Sequence, residues 1–176
     1  MRLSLYRLLC LSGCAVLLVA ALAAAATDPP ELAAELEVLR PLLGEWVGEY
    51  EGEESSPQIL RSWTAILGGQ AIHEVRTVAA FAFDAESFFF FDRVTNEVSY
   101  IGLTNNGYVT RGSIALEDGA LLVLGTQISP DGSETLVRST LRFADDGTVQ
   151  DQLFTLQDGT WEAGHSIRYA SSTATD

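Results

Sequence analysis

The chain has 176 residues with 10 basic against 24 acidic side chains, a net charge of −14, and no lysine. Such an acidic surface repels phosphate backbones and anionic bilayers, so nucleic-acid binding and membrane-surface binding are disfavoured. Both cysteines, Cys10 and Cys14, lie near the N-terminus, so the rest of the chain must be held by its core without disulfides.

Residues 1–26 read as a secretory signal. Arg2 and Arg7 form the positive n-region, Leu8 to Ala23 the apolar stretch, and Ala24-Ala25-Ala26 the cleavage site before Thr27. A retained membrane anchor is the competing reading, but Ser12, Gly13 and the terminal alanines weaken it. Leu11-Ser12-Gly13-Cys14 also matches a lipoprotein box, which would tether the protein through an acylated Cys14. That box sits close behind Arg7 and would leave a long apolar mature end, so a cleaved signal and a secreted or periplasmic protein are expected. Losing Arg2 and Arg7 leaves 8 basic against 24 acidic residues, a net charge of −16. Residues 27–176 form one domain; no linker divides them.

After Asp28-Pro29-Pro30, Leu32, Leu36, Leu39 and Leu43 follow a 3.6-residue period and predict a short helix stopped at Pro41. Glu31 and Glu35 near its start and Arg40 near its end suit the helix dipole. Ten strand-like runs come next, at 45–53, 58–67, 70–83, 86–93, 97–104, 107–116, 120–128, 134–143, 148–156 and 160–170, the long third run being open to a reading as two segments or as one with a bulge. Gly68-Gly69 and Thr95-Asn96 mark early turns. Asn106-Gly107, Asp118-Gly119, Asp131-Gly132, Asp146-Gly147 and Asp158-Gly159 punctuate the remainder. Such pairs tolerate the positive φ of tight hairpins, so the chain predicts an up-and-down meander. A meander removes its costly edges by closing, which predicts an all-β antiparallel barrel of about ten strands with the helix over one end.

Alternation assigns the lining. In the last run Trp161, Ala163, His165, Ile167 and Tyr169 share one face. In the eighth, Val137, Ser139, Leu141 and Phe143 point in, with Arg138 and Arg142 out. In the third, His73, Val75, Thr77, Ala79 and Phe81 are placed inside, opposite Glu74 and Arg76. The candidate ligand-binding residues are His73, Thr77, Tyr108, Ser139, His165 and Tyr169. The aromatics Trp63, Tyr100, Tyr108 and Trp161 could stack on a ligand or serve as core.

Gly44-Glu45-Trp46-Val47-Gly48, at the start of the first run and just after a helix, resembles the G-x-W signature of lipocalin-like (calycin) barrels. It is similar also to the G-x-W-x-G opening of nitrobindin-like and fatty-acid-binding-like ten-stranded barrels. Trp63 to Ile72 and Phe89-Phe90-Phe91-Asp92 resemble an uncharacterised bacterial exported family of this type. The resemblance implies that Trp46 plugs one end of the barrel, with Gly44 and Gly48 beside it and Arg168 packed over the indole. Nitrobindin-like barrels hold haem through a histidine in the C-terminal part, and His165 is the position that corresponds.

No G-x-S-x-G elbow, P-loop, dinucleotide fingerprint or cysteine cluster appears, and two histidines make a poor zinc site, so no metal is expected. The acidic turns lack the order of a calcium loop. The expected function is small-molecule binding, more of a carrier than an enzyme, with an apolar or amphipathic ligand inside the barrel. A haem-dependent isomerase and a structural barrel filled by its own side chains are the alternatives.

Overall fold

The computed structural model describes residues 31–53 and 55–172. The expected signal at 1–26, with Cys14, lies outside the described residues.

Ten strands follow in order: β1 (Gly44–Tyr50), β2 (Ile59–Ile66), β3 (Ala71–Val78), β4 (Phe83–Asp92), β5 (Glu97–Thr104), β6 (Val109–Glu117), β7 (Ala120–Ile128), β8 (Glu134–Phe143), β9 (Val149–Gln157) and β10 (Thr160–Ser171). Each pairs antiparallel with the next, and β10 returns to β1 through Trp46 opposite Ser171 and Tyr50 opposite Ile167. The result is a closed barrel without a free edge, the outcome that a disulfide-free meander needs.

The turns divide into two kinds. Asp118-Gly119 and Asp158-Gly159 have positive φ at both residues, as a two-residue hairpin requires. At Asn106-Gly107, Asp131-Gly132 and Asp146-Gly147 only the glycine is left-handed. There Gly107 N–H donates to Thr104 O, Gly132 to Ser129 O and Gly147 to Ala144 O, giving longer loops that end in a glycine.

The structure settles the open reading of the third run as two segments and corrects two other local expectations. The third run ends at Val78, because Ala79–Phe81 forms a single 3-10 turn and Ala82 takes a left-handed conformation that reverses the chain into β4. The segment before β1 is a 3-10 helix, Ala34–Leu42, that contains Pro41 instead of stopping before it. Its period of about three aligns Leu36, Leu39 and Leu42, all buried, so Leu42 takes the place expected for Leu43. Finally, β10 carries a bulge: Ala163 faces Phe154 and Ser166 faces Gln152, which sets Gly164 and His165 against Leu153 alone. One extra residue reverses the parity of everything before it.

The core cluster joins Leu36, Leu39 and Leu42 to Trp46, Ile59, Trp63, Ile72, Phe89, Leu121, Leu141, Ile167 and Tyr169. Trp46 donates its indole N–H to Leu42 O at 2.8 Å, and Ala33 N–H donates to Gly69 O in the β2–β3 turn at 2.9 Å. The helical segment is thereby fixed beside the start of β1.

Candidate functional site

The barrel encloses a cavity of about 610 Å³. Its upper wall is formed by Tyr50, Val78, Phe81, Phe83, Leu103, Thr104, Asn106, Tyr108 and His165, near the β3–β4 and β5–β6 turns. Trp63, Phe89, Tyr100 and Leu141 line it toward the opposite end. Space is kept by small residues: a Cβ at Gly125 would stand 2.5 Å from the Tyr100 hydroxyl.

A layer of charged and polar side chains crosses this interior. The guanidinium of Arg61 donates from Nε to Glu74 Oε1 at 2.7 Å and from Nη1 to Asp151 Oδ2 at 3.1 Å. It lies over the Trp63 ring at 4.8 Å and the Tyr169 ring at 5.1 Å. Ser139 Oγ donates to Asp151 Oδ1. The side chains of Arg61, Glu74 and Asp151 are all nearly buried. Charges are tolerated at such depth when paired and hydrogen-bonded, which these are.

The electrostatics follow from that pairing. Burial works against the charge of Glu74, but Arg61, Arg76 and a hydrogen bond from Ser87 outweigh it and hold the carboxyl below its usual range. Burial likewise opposes the Arg61 charge, and the attraction of Glu74 and Asp151 more than restores it. Burial, with the Glu74 charge, pushes the Tyr100 phenol up to about 12, so it keeps its proton at neutral pH. Burial also lowers the pKa of His165; Arg76 acts in the same direction and Asp151 against it.

The expected site residues separate. Tyr108, Ser139 and His165 line the cavity. Tyr169 is buried beneath Arg61 rather than on the cavity wall. His73 and Thr77 are on the outer face, a correction to the assigned parity of β3. His73 stacks on Phe88 at 4.7 Å with Nε2 2.9 Å from Glu86 Oε2, while Glu74 and Arg76 take the interior. Trp161 is also outside, 4.8 Å from the Arg138 guanidinium, because the β10 bulge inverts its side relative to His165.

The residues of the G-x-W motif divide in the same way. Gly44 has φ +119°, and Trp46 is buried. Gly48 faces the Tyr169 ring so closely that a Cβ would stand 2.5 Å from it. Arg168 does not cover Trp46: it is exposed and donates to Asp146 Oδ2 at 2.6 Å. The guanidinium that does stack on an interior indole is Arg61, over Trp63.

Arg61, Glu74, Arg76, Ser87 and Asp151 escape an analysis that sends charges outward. Their signal is parity: Arg61 shares a strand face with Ile59 and Trp63, and Asp151 with Val149 and Leu153. Among the described residues, no group of three or more His, Cys, Asp or Glu side chains is placed to hold a metal ion.

Architecture and interior together define a closed ten-stranded antiparallel barrel with an internal cavity, compatible with a lipocalin-like (calycin) fold. No family model matches the chain, and no curated protein matches it.

Proposed function

We propose that the protein is an exported binding protein that holds a small apolar or amphipathic molecule inside its barrel. The observation that carries this reading is the cavity of about 610 Å³, within the roughly 300–1,000 Å³ usual for small-molecule sites, with aromatic walls and a few convergent polar groups. The same volume weighs against a structural barrel filled by its own side chains. In this reading the leucines of Ala34–Leu42, packed with Trp46 and Trp63, close one end, and the ligand enters near Tyr108. Export rests on the sequence before Thr27, with a secreted or periplasmic protein favoured over one tethered through Cys14. The kinship we favour is with an uncharacterised family of exported bacterial barrels and with nitrobindin-like barrels.

Haem would have to be held by His165, beside the ring of Tyr50 at 5.5 Å. The fit is poor, because the wall of the same cavity carries Arg61, Glu74, Arg76 and Asp151, where a flat apolar macrocycle needs apolar surfaces. We assign no reaction either. Glu74 and Asp151 are engaged by Arg61 and by serine hydroxyls, which leaves them ill-suited to exchange protons with a substrate.

Incubating the mature protein with an environment-sensitive apolar dye and, separately, with haem tests the reading. Dye uptake without a Soret shift is expected. A Soret band lost in His165→Ala would replace the proposal by the haem alternative, and failure of both ligands to bind would overturn it.

A further inference from the structure

Arg76 is the cation in the cavity that, among the described residues, the polar layer leaves without a hydrogen-bonded partner. Arg61 is engaged by both interior carboxylates, Glu74 by Arg61 and Ser87, and Asp151 by Arg61 and Ser139. Arg76 lines the same cavity, between Glu74 and Val78 on the inward face of β3, and its guanidinium lies 5.8 Å from the Phe83 ring. Its Nε is buried and makes no hydrogen bond among the described residues. A buried donor without an acceptor costs free energy, and an incoming group that accepts from it recovers that cost.

The surroundings specify what that group is attached to. Toward the β3–β4 turn the wall beside Arg76 is Val78, Phe83 and Phe81, and Thr104, Asn106 and His165 lie at the same end. We propose that the cavity takes an amphipathic carboxylic acid, its carboxylate hydrogen-bonded by Arg76 at the polar layer and its apolar body lying along Val78, Phe83 and Phe81. This rests on the binding reading above and names its ligand class. A planar carboxylate matches the guanidinium fork, and such charge-assisted pairs are about twice as strong as neutral ones.

Charge balance adds a second consequence. Arg61 and Arg76 already balance Glu74 and Asp151, so the carboxylate brings one uncompensated negative charge into the interior. His165 is the titratable group on the wall able to answer it. It faces Tyr50 from β1 and feels Asp151 from β9 and Arg76 from β3. An anion on Arg76 cancels the repulsion that this guanidinium exerts on the imidazolium, so binding draws a proton toward His165. Affinity then falls as pH rises through the titration of His165 in the complex, while the ligand stays ionised above about pH 5.

The test compares a fluorescent anthroyloxy-labelled long-chain carboxylic acid with the alcohol of the same skeleton, on the mature protein at fixed ionic strength. The acid is expected to bind about tenfold or more tightly than the alcohol, and Arg76→Met should abolish that preference while leaving alcohol binding in place. Equal affinity for the two probes, or a preference that survives Arg76→Met, overturns this inference and leaves the binding reading standing. Failure of both probes to bind the wild-type protein overturns both. Should Arg76→Met not fold, the imidazole proton resonances of wild-type protein decide the matter, with His73→Gln separating the two histidines. The acid raises the pKa of His165 if the inference holds, and a pKa unmoved at saturation refutes it.

Discussion

Replacing Arg61 by methionine tests the buried polar layer most severely. The side chain roughly keeps its volume, but Glu74 and Asp151 lose donors at 2.7 and 3.1 Å in a nearly buried setting. Removing one partner of a buried ion pair costs about 3–5 kcal/mol, because the remaining charge is left desolvated. Against a domain stability of about 5–15 kcal/mol that is a large fraction, and it corresponds to a fall in Tm of roughly 10 °C or more. Urea denaturation followed by tryptophan fluorescence reads it directly, since Trp63 lies against the guanidinium. The pH dependence identifies the cause. In the wild type the folded pKa of Glu74 is depressed, so its stabilisation is present above the unfolded value near ~4.3 and is lost as pH falls through the folded value. Without Arg61 burial dominates, offset only in part by Arg76, and the folded pKa rises above the unfolded one. The variant then loses stability as pH rises through that window. The deficit should therefore be largest at pH 7 and shrink toward pH 4. A deficit below about 1 kcal/mol, the scale of an exposed pair, or one that is constant from pH 7 to pH 4, would refute the reasoning.

Three further outcomes follow from single contacts. Gly48→Ala should destabilise by about 1–3 kcal/mol, as overpacking does, because its Cβ would stand 2.5 Å from the Tyr169 ring; a neutral result in thermal melting would show that the ring moves freely. Arg168→Ala removes only an exposed pair with Asp146 and should leave the melting curve unchanged, whereas a clear loss would restore the expected packing over Trp46. Burial depresses His165, so the unliganded protein should lose stability as pH falls from about 6.5 through the lower folded value. His165→Gln should flatten that loss in denaturant titrations, and an unchanged slope would place the dependence elsewhere.

The strands and their order were legible because the turns are chemically explicit. Asn-Gly and Asp-Gly pairs at hairpin spacing leave few other conformations for the backbone, and closure follows from edges that nothing else covers. The lining was legible in β8, where Val137, Ser139 and Leu141 alternate with arginines, because polarity and facing agree there. It was misread in β3, where they disagree. Glu74 and Arg76 face inward beside Arg61 of the neighbouring strand and Asp151 of β9, and no local pattern reveals that Arg61 has a second partner 90 residues away. In β10 the bulge at Gly164 and His165 lets Trp161 lie outside while His165 lines the cavity, a shift of one residue that composition does not announce. The polar layer is illegible in the sequence for a physical reason: the ion pairs of Arg61 with Glu74 and Asp151 exist only once the barrel has closed.

The central claim, that the barrel interior is a binding site, is tested most directly by a stoichiometric titration of the mature protein with an environment-sensitive apolar dye, repeated on Thr110→Trp. Thr110 lines the cavity, so its replacement sets an indole in the space that a ligand would fill. The account predicts saturable uptake of one dye per chain in the wild type and its loss in a folded Thr110→Trp variant. Absence of uptake by the wild type, or uptake that the indole leaves unchanged, would contradict it.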